Sequence, residues 1–414
     1  MRFGWRQAIA GALAMAVICL AGVRFAGGQT APAAKQTAMA KKTAVTATKT
    51  GAPAAPAHKQ MMAGEYFKNV TVLKDIPVDE FMDTMGFFAA SLSLNCVDCH
   101  IGESGGNWAR YADDTQLKIT SRKMVTMVNA INAANFGGAK FVSCWTCHRG
   151  GQQPPVIPSL LEQYSPPPPD DPNEYQIREE SAVTAEQVFD KYMQALGGAE
   201  KVAALTSFAG KGTYEGYDTG HEKVPFDIYA KAPNMRTTLI HFRNGEGVHV
   251  FDGRNAWISS LDKPMPLMTL TGGEVEGAKI DATASFPAQL KGMFPKWRVG
   301  ETTIDDKPVM VVQGSAPGHS PVKLFFDKES GLLVRLVRYE VTVIGTNPIQ
   351  VDYSDYRDAG GVKAPFQWTT TWTDGQDAVE LSEVQANAAI DAARFAKPAP
   401  SKILEGSGAR AAGQ

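Results

Sequence analysis

Hydrophobic residues at helical spacing mark two stretches in the first third of the chain. In the stretch 78–92 they recur at i, i+4, i+7 and i+11, the spacing of one helix face. These residues are Phe81, Met85, Phe88 and Leu92. The pattern predicts a helix over 78–92 that presents a methionine on its apolar face.

A second stretch repeats the arrangement, with apolar positions at i, i+3, i+4 and i+7. They are Met124, Met127, Val128 and Ile131. Thr120 and Ser121 are residues of the type that caps a helix at its start, so we expect this helix to begin there.

Beyond residue 180 the pattern begins with one helix and then changes to strands. Thr184 and Gln187 form a capping box, and Val188, Phe189 and Tyr192 continue along one face to the stop at 197–198. Short segments then follow, many with apolar and polar residues in alternation, separated by turns such as Asp252-Gly253 and Asp374-Gly375. The predicted strands are 224–230, 236–242, 247–251, 256–260, 308–313, 322–327, 332–343, 349–356, 366–373 and 379–384. Strands without intervening helices indicate an antiparallel meander, and we expect a strongly curved sheet wrapped around a helix.

The length of 414 residues favours more than one domain. Arg2 and Arg6 precede an uncharged, mostly apolar run, so residues 1–28 fit either a cleaved export signal or an uncleaved membrane anchor. Residues 29–60 contain mainly Ala, Thr, Lys and Pro and predict a disordered tether. We expect further boundaries at 61–151, a Pro-rich linker over 152–180, a sheet domain over 181–398 and a flexible tail over 399–414.

The charge is distributed unevenly although the formal net charge is only −2. Residues 1–60 carry eight Lys and Arg and no acidic residue, so the rest of the chain has 33 basic and 43 acidic groups. An acidic body argues against a nucleic-acid partner and favours partner proteins with basic docking patches.

Four of the five cysteines form two copies of Cys-x-x-Cys-His. The copies are Cys96, Cys99 and His100, then Cys144, Cys147 and His148. This spacing is the attachment signal for c-type haem, with two thiols for the porphyrin vinyl groups and a His for the iron. A four-cysteine zinc site has roughly 15–20 residues between its pairs, whereas 44 lie between Cys99 and Cys144. A thioredoxin-like pair needs no His after both copies, and disulfides across such short gaps contribute little. The sequence therefore predicts two covalently bound haem c groups.

The methionines on the two helical faces are candidates for the sixth iron ligand, because thioether sulfur is a soft ligand and Met/His ligation raises a haem's potential. Methionine on an apolar helix face is also ordinary core filling. Spacing alone leaves both interpretations open.

Residues 65–151 resemble the cytochrome c subunit of photosynthetic reaction centres. The resemblance rests on 67–70 (Phe-Lys-Asn-Val), 84–86 (Thr-Met-Gly), 123–127 (Lys-Met-Val-Thr-Met) and the two attachment motifs, the second followed by Arg149 and Gly150. It implies that Met85 is the sixth ligand of the haem held by Cys96, Cys99 and His100, and that Met124 serves the haem held by Cys144, Cys147 and His148. Met82 and Met127 are the respective alternatives, and Arg149 is a candidate partner of a haem propionate.

The photosynthetic subunits typically carry four haems, whereas this chain has two attachment motifs. The resemblance thus implies a dihaem electron-transfer module and leaves open any role beside a reaction centre. With Met on both irons, no position is open for substrate, so we expect an electron carrier and not an enzyme. Loss of one Met ligand would favour a peroxidase-like enzyme instead.

The second half resembles the periplasmic lipoprotein-carrier superfamily, an incomplete β-barrel closed by a helix. The similar stretches are 195–198, 251–257, 326–333, 352–358 and 362–366. The resemblance implies an apolar ligand in the concavity, with Trp257, Trp368 and Trp372 as candidate lining residues if they are not simply core.

Together these patterns predict a multidomain protein: a mainly-α c-type cytochrome domain followed by an α+β antiparallel half-barrel. The expected function is single-electron transfer between redox partners outside the cytoplasm, in the periplasm or an equivalent exported location. The alternative is a binding or carrier protein for an apolar ligand, with the cytochrome as an accessory.

Overall fold

The computed structural model describes residues 60–102, 107–165, 171, 173–175, 177, 180–261 and 263–402. The predicted export segment and nearly all of the tether lie outside these residues, as does most of the predicted tail. In the described ranges, no helix has the length and apolar character needed to cross a membrane.

Helices account for the regular structure of the described chain up to residue 165. They are α1 (Ala63–Tyr66), α2 (Val78–Leu92), α3 (Cys96–Cys99), α4 (Gln116–Asn135), α5 (Cys144–His148) and α6 (Leu160–Tyr164), with a 3-10 helix at Trp108–Ala112. The bounds of α2 are those predicted from its apolar spacing. The predicted start of α4 is wrong, because the helix begins at Gln116 and Thr115 caps it by accepting from the Lys118 amide at 3.2 Å. The added first turn carries no apolar stripe, so periodicity alone did not reveal it.

Two further helices open the second half, α7 (Ala185–Ala195) and α8 (Ala199–Ala203). The predicted capping box of α7 is confirmed: Gln187 N donates to Thr184 Oγ1 at 3.3 Å, and Thr184 N donates to Gln187 Oε1 at 2.8 Å. The predicted apolar face is buried, with Tyr192 among its residues.

One antiparallel sheet of 13 strands follows. The strands are β1 (Ser207–Gly216), β2 (Val224–Lys231), β3 (Met235–Phe242), β4 (Gly245–Phe251), β5 (Ala256–Ser259), β6 (Met268–Thr269), β7 (Lys296–Ile304), β8 (Lys307–Ser315), β9 (Val322–Asp327), β10 (Leu333–Val341), β11 (Thr346–Ala359), β12 (Val362–Trp372) and β13 (Gly375–Ala386). Their order is β6-β5-β4-β3-β2-β1-β13-β12-β11-β10-β9-β8-β7, so the first and last strands pair at the centre. The predicted antiparallel sheet is confirmed, and β1, β6 and β7 are strands that the sequence pattern did not predict.

Helix α9 (Gly272–Ala284) connects one edge strand of the sheet, β6, to the other, β7. The expectation that no helix interrupts the strands is therefore wrong. Glycine and other small residues fill much of α9, so its sequence lacks the apolar stripe by which a helix is recognised. Because α9 contacts β3, β4 and β5 in one half of the sheet and β10 in the other, the sheet curves around it.

Helix α2 packs directly on the sheet domain. Val78 lies in a cluster with Phe251 and Met268, and Phe87 lies in another with Ile344. Thr271 Oγ1 donates to the buried Asp79 carboxylate at 2.6 Å. These contacts make the helix that bears Met85 part of the same core as the sheet.

The end of the predicted linker also contacts the sheet. Lys323 Nζ and Tyr339 Oη donate to the Glu174 carbonyl at 2.7 and 3.0 Å, and Ile177 is buried against β8–β10. Glu174 and Ile177 therefore lie on the face of these strands opposite to the face that packs against α7. The boundary at 152–180 stays a prediction.

Candidate haem-binding sites

The first attachment motif forms a single helical turn. The Asn95 side chain caps α3 by accepting from the amides of Val97 and Asp98 at 3.0 and 3.2 Å, and Asp98 Oδ2 accepts from Asn95 N at 2.8 Å. This reciprocal capping stabilises a helix too short to persist alone. It holds Cys96, exposed, and Cys99, half-buried, on one turn as free thiols.

The imidazole of His100 follows at the end of that turn. Its Nδ1 lies 3.0 Å from the Tyr111 carbonyl oxygen. Because a carbonyl only accepts hydrogen bonds, Nδ1 carries the proton and Nε2 keeps its lone pair. Burial, with the charge of Lys118, lowers the pKa of His100 and so favours the neutral ring that ligates metals.

The second motif repeats this design with different residues. Ser143 caps α5, its Oγ accepting from Thr146 N at 3.3 Å while Thr146 Oγ1 accepts from Ser143 N at 3.0 Å. His148 Nδ1 lies 3.0 Å from the Gly151 carbonyl oxygen, so Nδ1 again carries a proton and Nε2 is the nitrogen left to bind a metal. Cys144 and Cys147 are free thiols, the first buried, and burial raises the pKa of Cys144 to about 11.

The donor set suits haem c at both motifs. Each supplies two thiols on one turn and a His whose outer nitrogen is fixed by a backbone carbonyl, the second contact that orients a metal-ligating imidazole. Several large apolar side chains of the helical region are exposed, among them Val97 and Trp145 inside the motifs and Leu117, Met127 and Phe141 elsewhere in this region.

The two candidate axial methionines lie on α2 and α4. Met85 is partly buried and packs against a cluster that includes Phe87, Val125 and Cys144, and α2 packs on α5. Met124 is half-buried on α4, whereas Met127 is 43% exposed. The structure thus brings Met85 into the cluster of a second-motif cysteine, although the sequence order assigns it to the first haem. The assignment of each methionine to an iron stays a prediction.

A buried charge cluster beside α2, the helix that bears Met85, was not predicted from the sequence. The carboxylates of Asp83, Glu274 and Glu340 lie within 4.8 Å of one another. Arg338 donates to Glu340 and, at 3.1 and 3.2 Å, to Asp281. These residues come from α2, α9 and β10, so no short-range spacing in the sequence predicts the cluster.

A cavity of about 150 Å³ lies between α9 and the sheet. Ile228, Val351 and Leu381 are among its apolar lining residues, and Arg236 and Asp281 are among the charged ones. Of the three tryptophans considered from the sequence, Trp368 lines this cavity.

Comparison with known proteins supports the interpretation of the helical region. Residues 18–194 match the family model of the photosynthetic reaction centre cytochrome C subunit. The helical region resembles those subunits, as predicted. The subunit from Thermochromatium tepidum is 40% identical over 100 residues, 22% of this chain and 22% of that protein. The one from Roseobacter denitrificans is 33% identical over 116 residues, 26% of this chain and 30% of that protein. The chain thus spans less than a third of the length of these curated relatives.

Solved structures similar to this chain are more distant. A DUF1329 family protein from Desulfovibrio piger is 11% identical, with a TM-score of 0.35, over 51% of this chain and 96% of that one. A LolA superfamily protein from Nitrosomonas europaea is 14% identical, with a TM-score of 0.35, over 52% of this chain and 99% of that one.

Proposed function

We propose that this protein is an exported dihaem c-type cytochrome that carries single electrons between redox proteins outside the cytoplasm. The observation that carries the proposal is the repeated geometry of the two motifs. At each, a capped turn presents two thiols, and the following His is fixed by a hydrogen bond from Nδ1 to a backbone carbonyl, which leaves Nε2 as the nitrogen that could bind iron.

Each residue of a motif has a defined part in this function. Cys96 and Cys99, and likewise Cys144 and Cys147, would hold a porphyrin edge as thioethers. His100 and His148 would each supply one axial nitrogen, and Met85 and Met124 the other axial ligand. Bound haem supplies a one-electron couple, and Met/His ligation sets it at high potential. With both axial positions filled by the chain, electron transfer needs no bond to a substrate.

The charge of the chain supports a protein partner for this electron transfer. The body beyond residue 60 carries ten more acidic than basic groups, with 43 against 33. Partners with a basic docking patch would associate faster and with a strong dependence on ionic strength. The export segment at 1–28 would bring the chain to the periplasm, free or anchored.

Spectroscopy of the purified holoprotein tests the proposal. We expect two haems per chain by pyridine haemochrome assay, low-spin spectra in both redox states and a weak near-infrared band from sulfur-to-iron charge transfer. Fewer than two covalent haems would contradict the dihaem proposal. A high-spin form that binds cyanide or reacts with peroxide would favour the haem-enzyme alternative.

Substitution of the methionines tests the axial ligands. Met85→Ala and Met124→Ala should each remove half of the sulfur band and lower one potential. Met82→Leu and Met127→Leu are the matched controls, each on the same helix as the residue that it controls. An unchanged band in Met85→Ala or Met124→Ala, together with loss of the band in a control, would transfer the ligand role to Met82 or Met127.

A second function, binding of an apolar ligand in the sheet domain, is favoured by the cavity between α9 and the sheet. Delipidated protein should then take up an environment-sensitive fatty-acid probe. Trp368→Ala should change the affinity because Trp368 lines the cavity, and Trp257→Phe, at a buried position, is the control. Failure to bind any apolar probe would exclude this function.

A further inference from the structure

The carbonyl group that fixes His100 receives a second donor, which is a cation. Tyr111 O accepts from His100 Nδ1 at 3.0 Å and from Lys118 Nζ at 2.7 Å. Lys118 Nζ also donates to the Asp113 carbonyl at 2.7 Å. The ammonium group and the predicted axial imidazole therefore share one acceptor, the Tyr111 carbonyl oxygen.

The first turn of α4 holds this lysine in place. Thr115 caps the helix at the Lys118 amide and donates its hydroxyl to the Cys99 carbonyl at 2.5 Å, which ties the turn to the attachment helix. Lys118 is half-buried. Its backbone amide is bonded by Thr115, and its ammonium group is bonded by the carbonyls of Tyr111 and Asp113.

No carboxylate within the described residues forms an ion pair with Lys118. Its acidic neighbours are engaged elsewhere: Asp113 pairs with Arg110 at 2.6 Å, and Asp114 pairs with Arg122 at 2.8 Å. Asp114 and Asp113 therefore attract Lys118 only through space, without a direct ion pair, and Arg122 repels it. The ammonium group acts on its surroundings from a partly desolvated position, where charges interact more strongly.

The second motif lacks this arrangement. His148 Nδ1 also meets a carbonyl oxygen, that of Gly151, at 3.0 Å. In the part of the chain that the structure describes, no lysine or arginine donates to that oxygen. The two axial imidazoles therefore differ in their outer hydrogen bond although their motifs are the same.

We propose that Lys118 is a positioning and tuning residue that raises the reduction potential of the haem held by Cys96, Cys99 and His100 above that of the other haem. A carbonyl that already accepts from an ammonium group is a weaker acceptor for Nδ1–H, so His100 donates less electron density to iron. The nearby positive charge also disfavours the ferric state, and both effects raise the potential. The inference rests on the proposed dihaem function.

The difference in potential gives the electron a direction within the protein. An electron accepted at the site of His148 would pass to the site of His100. The haem at His100 is then reduced, and the haem at His148 is reoxidised. The first motif would then be the exit to the acceptor protein.

Redox titration of Lys118→Met holoprotein tests this proposal. We expect a tenfold fall in the reduction equilibrium constant of one haem, about 59 mV for a one-electron couple, with the other haem unchanged. Lys118→Arg, which keeps the charge and the donors, should retain most of the wild-type potential. Lys191→Met is the matched control, because Lys191 Nζ also donates to a backbone carbonyl, that of Lys328 at 2.5 Å, but on α7 of the sheet domain.

Assignment of the shifted potential uses Cys96→Ala as a background. That variant leaves one vinyl group of the first haem unattached, which moves its α-band to longer wavelength and separates the two haems in the titration. In this background, the potential lowered by Lys118→Met must be the one measured at the displaced α-band.

The outcomes separate this inference from the proposed function. Fewer than two haems in the wild-type protein would contradict the dihaem function itself. Two haems with potentials unchanged by Lys118→Met, or shifted equally by Lys191→Met, would overturn only the role of Lys118. A shift in Lys118→Met that Lys118→Arg fails to restore would indicate a merely structural effect and would also overturn it.

Discussion

Removal of the Arg338 charge should destabilise the fold strongly, because this residue neutralises a buried carboxylate cluster. Arg338 and Glu340 are 9% and 4% exposed. Arg338 bonds Glu340 and, at 3.1–3.2 Å, Asp281, and Glu274 and Asp83 lie beside them. In Arg338→Met, Glu340 and Asp281 lose the guanidinium group that both contact, whereas burial raises the pKa of Asp83 and of Glu274 and so favours their neutral forms.

The magnitude follows from the distances. A pair of unit charges at about 3 Å attracts by roughly 5 kcal/mol at an effective dielectric constant of about 20. Desolvation offsets much of that attraction in the intact cluster, but breaking a buried pair leaves an uncompensated charge and costs about 3–5 kcal/mol. We therefore expect Arg338→Met to lower the free energy of unfolding by about 3–5 kcal/mol.

Urea unfolding followed by far-UV circular dichroism, with the haem Soret band as a second probe, measures this loss. Arg243→Met is the control, because its ion pair with Glu222 at 2.7 Å is exposed and should contribute less than about 1 kcal/mol. The double variant Arg338→Met/Glu340→Met should recover part of the stability, since it also removes a buried charge. A loss in Arg338→Met no larger than that in Arg243→Met would refute the reasoning.

Three further outcomes are expected. Burial raises the pKa of Asp377 to about 6, so the folded state binds the proton more tightly than the unfolded state and stability falls as pH rises from about 4 to 6. Asp377→Asn should remove this pH dependence of the free energy of unfolding, which amounts to at most about 3 kcal/mol between pH 4 and 6. Unfolding measured at several pH values tests this, and an unchanged pH dependence contradicts the assignment to Asp377. Gly345→Ala should cost about 1–3 kcal/mol, because the added Cβ would lie 2.1 Å from the Phe87 ring, and thermal unfolding would disprove this if the midpoint did not move. Thr184→Ala should cost about 1 kcal/mol through loss of the α7 cap, and Thr184→Ser, which keeps the hydroxyl, should retain the wild-type midpoint.

Local features of this protein follow from short-range sequence rules. The predicted bounds of α2 are the observed ones, and the capping box at Thr184 and Gln187 forms as expected. Both depend on residues within one or two turns of each other, so their physical cause is contained in the local sequence. The attachment motifs belong to the same class, since Cys96 and Cys99 meet their His on one turn.

Other elements depend on contacts that short-range rules do not contain. Helix α9 has no apolar stripe and forms because small residues such as Gly277 let it approach Arg338, where a Cβ would lie 2.2 Å from Nη1. Strand β1 contains three glycines and a bulge at Lys211 and Gly212, and it is held by its pairing with β13 from the far end of the chain.

The sequence by itself determined the candidate chemistry and the main elements of this protein. The two Cys-x-x-Cys-His motifs, the methionines on helical faces and the antiparallel sheet all follow from spacings of a few residues. Only the tertiary structure decided what surrounds that chemistry. It packs Met85 against the cluster that contains Cys144, brings Asp83 and Glu340 together in a buried cluster and places Lys118 on the carbonyl that fixes His100. Such contacts depend on how the packed elements meet, because burial and electrostatics act between residues close in space regardless of their separation along the chain.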